Sequence, residues 1–428
     1  MSTGIFSIAN SALSASYLAL RTTGNNIANA NTPGYTRQIV ELVPQQGSAS
    51  AGVYLGQGVA VADVRRVYDA FLMQQANQAT ALSNAAETRY QQLAQVQGMF
   101  SDPTSGVGAT IDQFFAAMQE LTQRPSDLAA RQALLSAAGQ MVARFDDAGD
   151  RLQELRDVTG QQLRLETDKV NRAAQEVAQL NDRIALALGS GAAPNDLLDL
   201  RDAAIRRLSE SLQVSTVKQN DGSVNLFLGN GQALVVGNQA NRVQIAADAA
   251  DPRELRVAIN VSGQLRPIDP QQIGGGRIAG LMQFRSTDLP QFENELGRVA
   301  VALSSVVNAQ HRLGNDRNGL PGGDFFAPLA ANAFAAAGNG NPATQVSVAF
   351  TDATQLQASD YRVVYGGGQY TLTRLADGAQ WTSATPSFAQ DGLAITLTDA
   401  PPADGDSFVI QPLRDASRNL ALALAHPA

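Results

Sequence analysis

Cysteine is absent from the 428 residues, which excludes disulfides, thiolate catalysis, Cys-ligated zinc and iron–sulfur clusters. Histidine occurs twice, at His311 and His426, far apart in sequence. A catalytic triad or a His-rich metal site would need more partners. Lysine is confined to Lys169 and Lys218, and the formal net charge is -8. A nucleic-acid binder would need a concentrated basic face to displace counterions. No apolar run approaches the roughly 18 residues of a membrane helix. The first residues have neither a basic segment nor an apolar stretch of the kind a cleaved secretion signal carries. Aromatics make up only 6%, whereas Ala, Gln, Asn and Gly are abundant. Such helices pack through small side chains.

What is present is periodicity. Residues 3–29 predict one helix with alternating steps of three and four: Phe6, Ala9, Leu13, Ser16, Leu20, Thr23 and Ile27. The stripe calls for a partner helix, because helix nucleation alone is costly. Asn29-Ala30-Asn31-Thr32-Pro33-Gly34 stops it. Short strands and turns follow over 35–68, with Gly52, Gly56 and Gly58 as punctuation. A second heptad stretch runs from Phe71 to Phe100 through Leu72, Gln75, Ala79, Leu82, Ala86, Arg89, Leu93 and Val96, and Ser101-Asp102-Pro103 ends it. A short helix with Ile111, Phe114, Phe115, Met118 and Leu121 on one face precedes the Arg124–Asp127 break.

The longest helix spans 127–188, about 90 Å if unbroken, with Gly160 as the expected bend. Its seam holds one register from Val142 and Phe145 through Arg156, Leu163, Glu166 and Val177 to Ile184. Asn195 or Asp196 is the expected cap of the next helix, with Leu198, Ile205, Leu208 and Leu212 buried. Residues 213–270 switch to period two as a hairpin meander, 277–312 return to helix, 314–342 are loop, and 345–424 form a second β module. The fold class is α+β, elongated and multi-domain: a long α-helical, coiled-coil-like stalk with inserted antiparallel β modules. The expected divisions are an assembly helix at 1–34, a helical stalk at 35–212 with a short β segment at 35–68, a β-hairpin subdomain at 213–275, a returning helix at 276–313, a linker at 314–342 and a second β domain at 343–428.

Individual polar clusters have plain readings. Asp146-Asp147 and the Asp199/Asp202 pair fit solvated faces or salt-bridge partners rather than catalytic carboxylates. Gly274-Gly275-Gly276 lacks the completion of a phosphate loop and reads as a tight turn. Asn315-Asp316-Arg317-Asn318-Gly319 lacks the ligands of a calcium loop. Gly366-Gly367-Gly368 reads as a hairpin turn and Trp381 as core. His311, beside Arg312, reads as a polar cap. No catalytic residue, metal set or cofactor site is expected.

The stretch Ser7–Leu13 followed by Thr23-Gly24-Asn25-Asn26-Ile27-Ala28-Asn29-Ala30-Asn31-Thr32-Pro33-Gly34-Tyr35-Thr36-Arg37-Gln38 resembles the N-terminal motif of flagellar rod, hook and hook-associated proteins. Its Gly-Tyr-Thr-Arg-Gln ending resembles the hook-associated protein 1 (FlgK) family. Further blocks are similar along the whole chain: Gly58–Val61 with Arg65–Leu72, Asp196–Asp202, Gly275–Leu281 through Asn308–His311, Gly322–Phe326 and Gly405–Pro412. The resemblance implies a structural protein, not an enzyme, exported unfolded by the flagellar export apparatus without a cleaved signal. It implies an extracellular place at the hook–filament junction and polymerisation on the hook tip. The implied partners are copies of itself, the hook protein and a neighbouring hook-associated protein, with neither nucleic acid nor membrane. Family chains close with returning helices, and this sequence is read as a truncated chain lacking them. The residues expected to make subunit contacts are Phe6, Leu13, Leu20 and Ile27 on the stripe, and Asn25, Asn26, Asn29, Asn31, Thr32, Pro33, Gly34 and Tyr35 in the joint that follows. Two alternatives stand beside it: another axial protein of hook or distal rod type, and a secreted hydrolase or adhesin with an axial-type N-terminus.

Overall fold

The computed structural model describes residues 2–50, 53–100, 106–316 and 319–424. The expected stop at Ser101–Pro103, Gly52, Arg317, Asn318 and His426 lie outside the described residues. The fold is α+β, with long helices and antiparallel sheets. The chain divides into two compact units, which are taken in turn.

The first unit comprises Met1–Ala85, Leu165–Gln244 and Val257–Ala279. Helix α1 (Ser2–Ala28) leads into strand β1 (Gln38–Pro44), the short pair β2 (Ser48–Ser50) and β3 (Val53–Leu55), and β4 (Val59–Arg66). β1 and β4 pair antiparallel, from Gln38 opposite Arg66 to Pro44 opposite Val59, with a register shift at Glu41/Leu42. Helix α2 (Ala70–Phe100) begins in this unit and α4 (Leu128–Gly189) ends in it. Helix α5 (Asn195–Ser211) is not capped by Asn195 or Asp196: its N-cap is Pro194, with no side-chain cap bond. Asn195 is diverted, because its amide donates to the Val64 carbonyl of β4. Strands β5 (Val214–Lys218), β6 (Val224–Leu228), β7 (Ala233–Val236) and β8 (Gln239–Ala240) form the expected meander in sequence order. β9 (Arg242–Ala247) follows, and β10 (Leu255–Val261) and β11 (Gln264–Pro267) make a hairpin. The three glycines at 274–276 form a tight turn whose amides serve the chain itself: Gly275 N–H donates to Ile273 O (2.9 Å) and Gly276 N–H to Ala81 O (2.8 Å).

The second unit comprises Ala86–Arg164, Ile245–Arg256 and Gly280–Ala428. Helix α3 (Val107–Gln123) buries Phe114, with Ile111, Met118 and Leu121 packed against the same cluster, but Phe115, expected on that face, is exposed. The 277–312 segment is not one helix: α6 (Arg277–Gln283) passes through a π-helical turn at Phe284–Asp288 into α7 (Leu289–Arg312). Pro290 follows the π turn directly, in the first turn of α7. Asp288 in the π turn accepts two bonds from Arg89 (2.7 and 2.8 Å).

The second β module is a five-stranded sheet in the order β12-β19-β14-β15-β16 with a three-stranded sheet β13-β18-β17; its first strand falls inside the 314–342 stretch expected to be loop, where four residues pair with β19. Its strands are β12 (Asn332–Ala335), β13 (Gln345–Phe350), β14 (Tyr361–Gly366), β15 (Gln369–Arg374), β16 (Gln380–Ser383), β17 (Ser387–Gln390), β18 (Leu393–Thr398) and β19 (Ser407–Gln411). Gly367 and Gly368 both have positive φ (59° and 77°) between the paired Gly366 and Gln369, the geometry of a two-residue hairpin turn. Trp381 is not core. It is partly buried at the rim, with Arg374 stacked over its ring at 5.5 Å. Two hydrophobic clusters lie in this unit. One is helical, around Phe114, Met141, Phe145, Phe284 and Leu296; the other fills the β module around Tyr361, Leu372, Ile395 and Phe408.

α4 runs unbroken for 62 residues, Gly160 included. The predicted seam is the one the fold buries: Phe145, Leu152, Leu163, Val170, Val177 and Ile184 are all inaccessible or nearly so. In α2 the register divides. Val96 is buried with Leu93 and Phe100 partly so, but the predicted Leu72, Gln75, Ala79, Leu82 and Ala86 are exposed. The buried line of the first half of α2 instead passes through Ala81.

Candidate assembly surface

Helix α1 has two stripes of the same 3-4 period. Ser11, Ala15, Leu18, Thr22 and Asn26 form the covered one, small or polar apart from Leu18. It faces the β1–β4 hairpin. Ser11 Oγ donates to Ile8 O (2.8 Å) and accepts from Val59 N–H (3.3 Å). Gly58, at φ 98°, is the point of closest approach: a Cβ there would overlap Ser11 Oγ and press to 3.3 Å from Ile8 Cα. The apolar stripe is the other one. Phe6 (74%), Leu13 (69%), Leu20 (72%) and Ile27 (72%) are exposed along its length, with Ile5 and Tyr17 beside them. Contiguous exposed apolar surface of this kind is uncommon on soluble monomeric proteins.

The joint after α1 is held by asparagine. Asn26 Oδ1 accepts from Gln38 N–H (2.9 Å) and from the Tyr35 hydroxyl (2.8 Å), while Asn26 Nδ2 donates to Gln38 O (2.8 Å). Asn29 Nδ2 donates to Asn25 O (3.0 Å) and Asn25 Oδ1 (2.9 Å), and Thr32 Oγ1 donates to Asn29 Oδ1 (3.2 Å). The Asn26 bonds fix the start of β1 against α1, and Asn29 adds a side-chain bond to the Asn25 carbonyl that already accepts from its backbone N–H (3.0 Å). Tyr35 N–H closes the turn on Thr32 O (3.1 Å), leaving Asn31, Thr32 and Pro33 at the exposed tip. Gly34 has φ 89°, and a Cβ there would lie 3.1 Å from Arg206 Nη2 of α5. Burial, then the Asp199 and Asp196 charges, push the Tyr35 hydroxyl above its ordinary pKa, so it stays a donor.

Asp199 ties the joint to α5. Its Oδ2 accepts from Thr36 N–H (3.1 Å) and its Oδ1 from Arg66 Nη1 (2.6 Å), which also reaches Asp202 Oδ2 (2.8 Å). Arg66 stacks over Tyr68 at 4.7 Å. Of the two readings of the Asp199/Asp202 pair, salt bridge and solvated face, the first holds; Asp146 and Asp147 are exposed. Sequence reasoning placed Arg66 and Asp199 in separate blocks and did not join them. The signal was there: an acidic pair at i, i+3 on a helix buries poorly unless a cation answers it.

His311 stands near the end of α7 with Nδ1 2.7 Å from Gly323 O and its ring edge-on to Phe325 at 5.8 Å. Among the described residues no group of three or more His, Asp or Glu side chains could hold a metal. Asp316 is used locally, its Oδ1 accepting from Leu320 N–H (2.8 Å).

The chain thus combines a long helix with a buried seam, antiparallel β modules and a helix whose apolar stripe is exposed. Comparison with known proteins places it among flagellar axial proteins. Residues 6–36 match the family model "Flagella basal body rod protein", residues 93–326 match "Flagellar hook-associated protein FlgK helical domain", and residues 334–412 match "Flagellar hook-associated protein 1, D2-like domain". The chain belongs to the FlgK family of flagellar hook-associated proteins. It is 34% identical over 415 residues to flagellar hook-associated protein 1 of Salmonella typhimurium, covering 95% of this chain and 75% of the relative. Against the Escherichia coli protein it is 34% identical over 427 residues, covering 98% and 78%, and against that of Bacillus subtilis 27% over 350, covering 74% and 69%. It is similar to the solved flagellar hook junction protein FlgK from Burkholderia pseudomallei, with a TM-score of 0.78 and 34% identity. That match covers 83% of this chain and 65%, just under two thirds, of the solved one.

Proposed function

We propose that the chain is the adaptor subunit between hook and filament, polymerising on the hook tip and supporting filament assembly. Its partners in this reading are further copies of itself, the hook protein, the neighbouring hook-associated protein and the flagellar export apparatus. It works outside the cell, reaches its place without a cleaved signal peptide, and performs no catalysis. Residues 1–34 are the assembly helix, 35–212 and 276–313 the helical stalk, and 213–275 and 343–428 β modules, the second completed by β12 from the 314–342 stretch.

The observation that carries this reading is the division of labour on α1. The small, polar stripe through Ala15 and Asn26 is satisfied by the chain's own hairpin, while Phe6, Leu13, Leu20 and Ile27 have large apolar side chains in water. A stripe of this kind drives association when a neighbour covers it. The joint residues Asn25, Asn29, Asn31, Thr32, Pro33, Gly34 and Tyr35 set the direction in which α1 leaves the chain, and their exposed tip adds a second contact.

The test is the double substitution Leu13→Asp and Leu20→Asp in a cell that swims on this protein. The purified variant should unfold at the wild-type urea midpoint, since neither side chain is buried, while the cells lose motility and immunogold finds no protein at the hook end. Swimming cells with the variant at the junction would refute the proposal, and label along the hook or rod instead would favour another axial role.

A further inference from the structure

Residues 412–424 follow β19 and carry no strand, only the isolated bridge of Leu422 to Phe326. The segment is nonetheless buried at both ends. Leu413 and Ala416 belong to the cluster inside the β module. Leu420 belongs to the helical cluster, with Leu422 and Leu424 packed against it. Two glycines make room for the passage: a Cβ on Gly297 of α7 would overlap the Leu413 carbonyl, and one on Gly149 of α4 would overlap Arg418 Cγ and lie 2.7 Å from Ser417 Oγ.

Between its two apolar ends the segment carries charge. Arg414 donates to Asp360 Oδ2 and to Glu254 Oε1 (2.9 Å), and lies 3.9 Å from Glu293 Oε2. Arg156 of α4 donates to the same Glu254 (2.7 Å) and to both oxygens of Glu293 (3.1 and 2.6 Å). Arg285 from the π turn is 3.7 Å from Glu254. Three guanidiniums therefore face three carboxylates. With Arg414 withdrawn, three buried carboxylates face two guanidiniums, and a buried charge without its partner is strongly unfavourable.

We infer that residues 412–424 are a latch: seating this segment makes the β module and the helical cluster of the second unit one cooperative body. Unseated, it leaves vacant tracks over Gly149 and Gly297 and an unbalanced charge cluster, and the two clusters open separately. This is a property of the fold beyond the assembly role and stands independently of it.

Hydrogen exchange of the full chain along a urea series, read by mass spectrometry, tests the inference. In the wild type, peptides of the β module (361–374, 393–411) and of the helical cluster (134–155) should open together, with exchange rates in a ratio near one after correction for intrinsic rates. In Gly297→Ala combined with Arg414→Gln the two sets should separate, with the ratio exceeding tenfold and 412–424 exchanging with the faster set. Leu134→Ala, in the helical cluster but off the latch, should slow or speed both sets together. If Gly297→Ala prevents folding, Leu413→Ala with Leu420→Ala empties both ends of the latch while keeping its backbone track, and the same separation is expected. A single transition in the latch variants, shifted equally for both sets, would overturn the inference.

Discussion

Asn26 holds Gln38 as a neighbouring strand would: its amide oxygen accepts from the Gln38 N–H at 2.9 Å and its amide nitrogen donates to the Gln38 carbonyl at 2.8 Å. The device recurs. Asn171 of α4 makes both bonds to Val243 at 2.8 Å, Asn181 makes them to Val224 at 3.1 and 2.8 Å, and Asn308 of α7 takes Phe326 at 2.8 Å in both directions. An asparagine on a helix thus supplies the donor and acceptor that an extended segment would otherwise lack.

Asn26→Asp tests the device, because a carboxylate can accept from Gln38 N–H but cannot donate to Gln38 O. The loss should be about 1–3 kcal/mol, the cost of leaving a part-buried carbonyl without its donor. Urea unfolding measures it, and faster exchange of the Gln38 amide locates it. A change under about 0.5 kcal/mol, the range of an ordinary surface substitution, would mean that water replaces the side chain at no cost.

The seam of α4 was legible in the sequence because period 3.6 and burial agree there, down to Arg156 and Glu166 inside it. α1 misled in a useful way: its apolar stripe was visible, but the stripe that docks on its own chain has one large apolar residue, Leu18, among Ser11, Ala15, Thr22 and Asn26, too few for a hydrophobic pattern to pick out. The same reason hid the first half of α2, where Ala81 rather than Leu82 turns inward. The sequence pattern puts residues 412–424 within the second β module, because burial of an irregular segment leaves no periodic trace. Gly297 was a position in a helical run, and only the approach of Leu413 explains it.

Arg66 and Asp199, 133 residues apart, form a pair whose side chains are 8% and 10% exposed. Arg66→Met should cost about 3–5 kcal/mol, since it removes the salt-bridge partner that Asp199 and Asp202 share. The exposed pair Arg65–Glu41, at 3.3 Å, is the control: Arg65→Met should cost at most about 1 kcal/mol. Equal midpoints for the two variants in urea would show that burial does not separate them.

Gly276 has φ 88°, and a Cβ there would overlap the backbone of Ser211. Gly276→Ala should therefore destabilise by more than the roughly 1 kcal/mol that alanine normally returns through the unfolded chain. Gly139 of α4 has open space where a Cβ would go, and Gly139→Ala should stabilise by about 1 kcal/mol through helix propensity. Thermal melts of the two variants should move in opposite directions; movement in the same direction would contradict the geometry.

Glu254 is one of the carboxylates whose environment ties stability to acid pH. Burial alone would raise its pKa, but the guanidiniums of Arg156 and Arg414 more than offset it and hold the carboxyl below the usual range. A depressed folded pKa contributes stability that is present above the unfolded value, about 4.3, and is lost as pH falls through the folded value. Asp251 has the opposite sign. Burial raises it, so it favours the folded state below its unfolded pKa and loses that contribution as pH rises through the folded one. Asp415, held low by Arg253 against the pull of burial, acts in the same direction as Glu254. Wild-type urea midpoints should therefore fall steeply between pH 5 and 3. Glu254→Gln, which leaves Arg156, Arg285 and Arg414 facing Glu293 and Asp360, should lose about 3–5 kcal/mol at pH 7 and show a shallower fall over the same window, because the group that titrates is gone. Midpoints measured at unit steps from pH 3 to 7 decide it: parallel acid limbs in the two chains would assign the acid sensitivity to carboxylates other than Glu254.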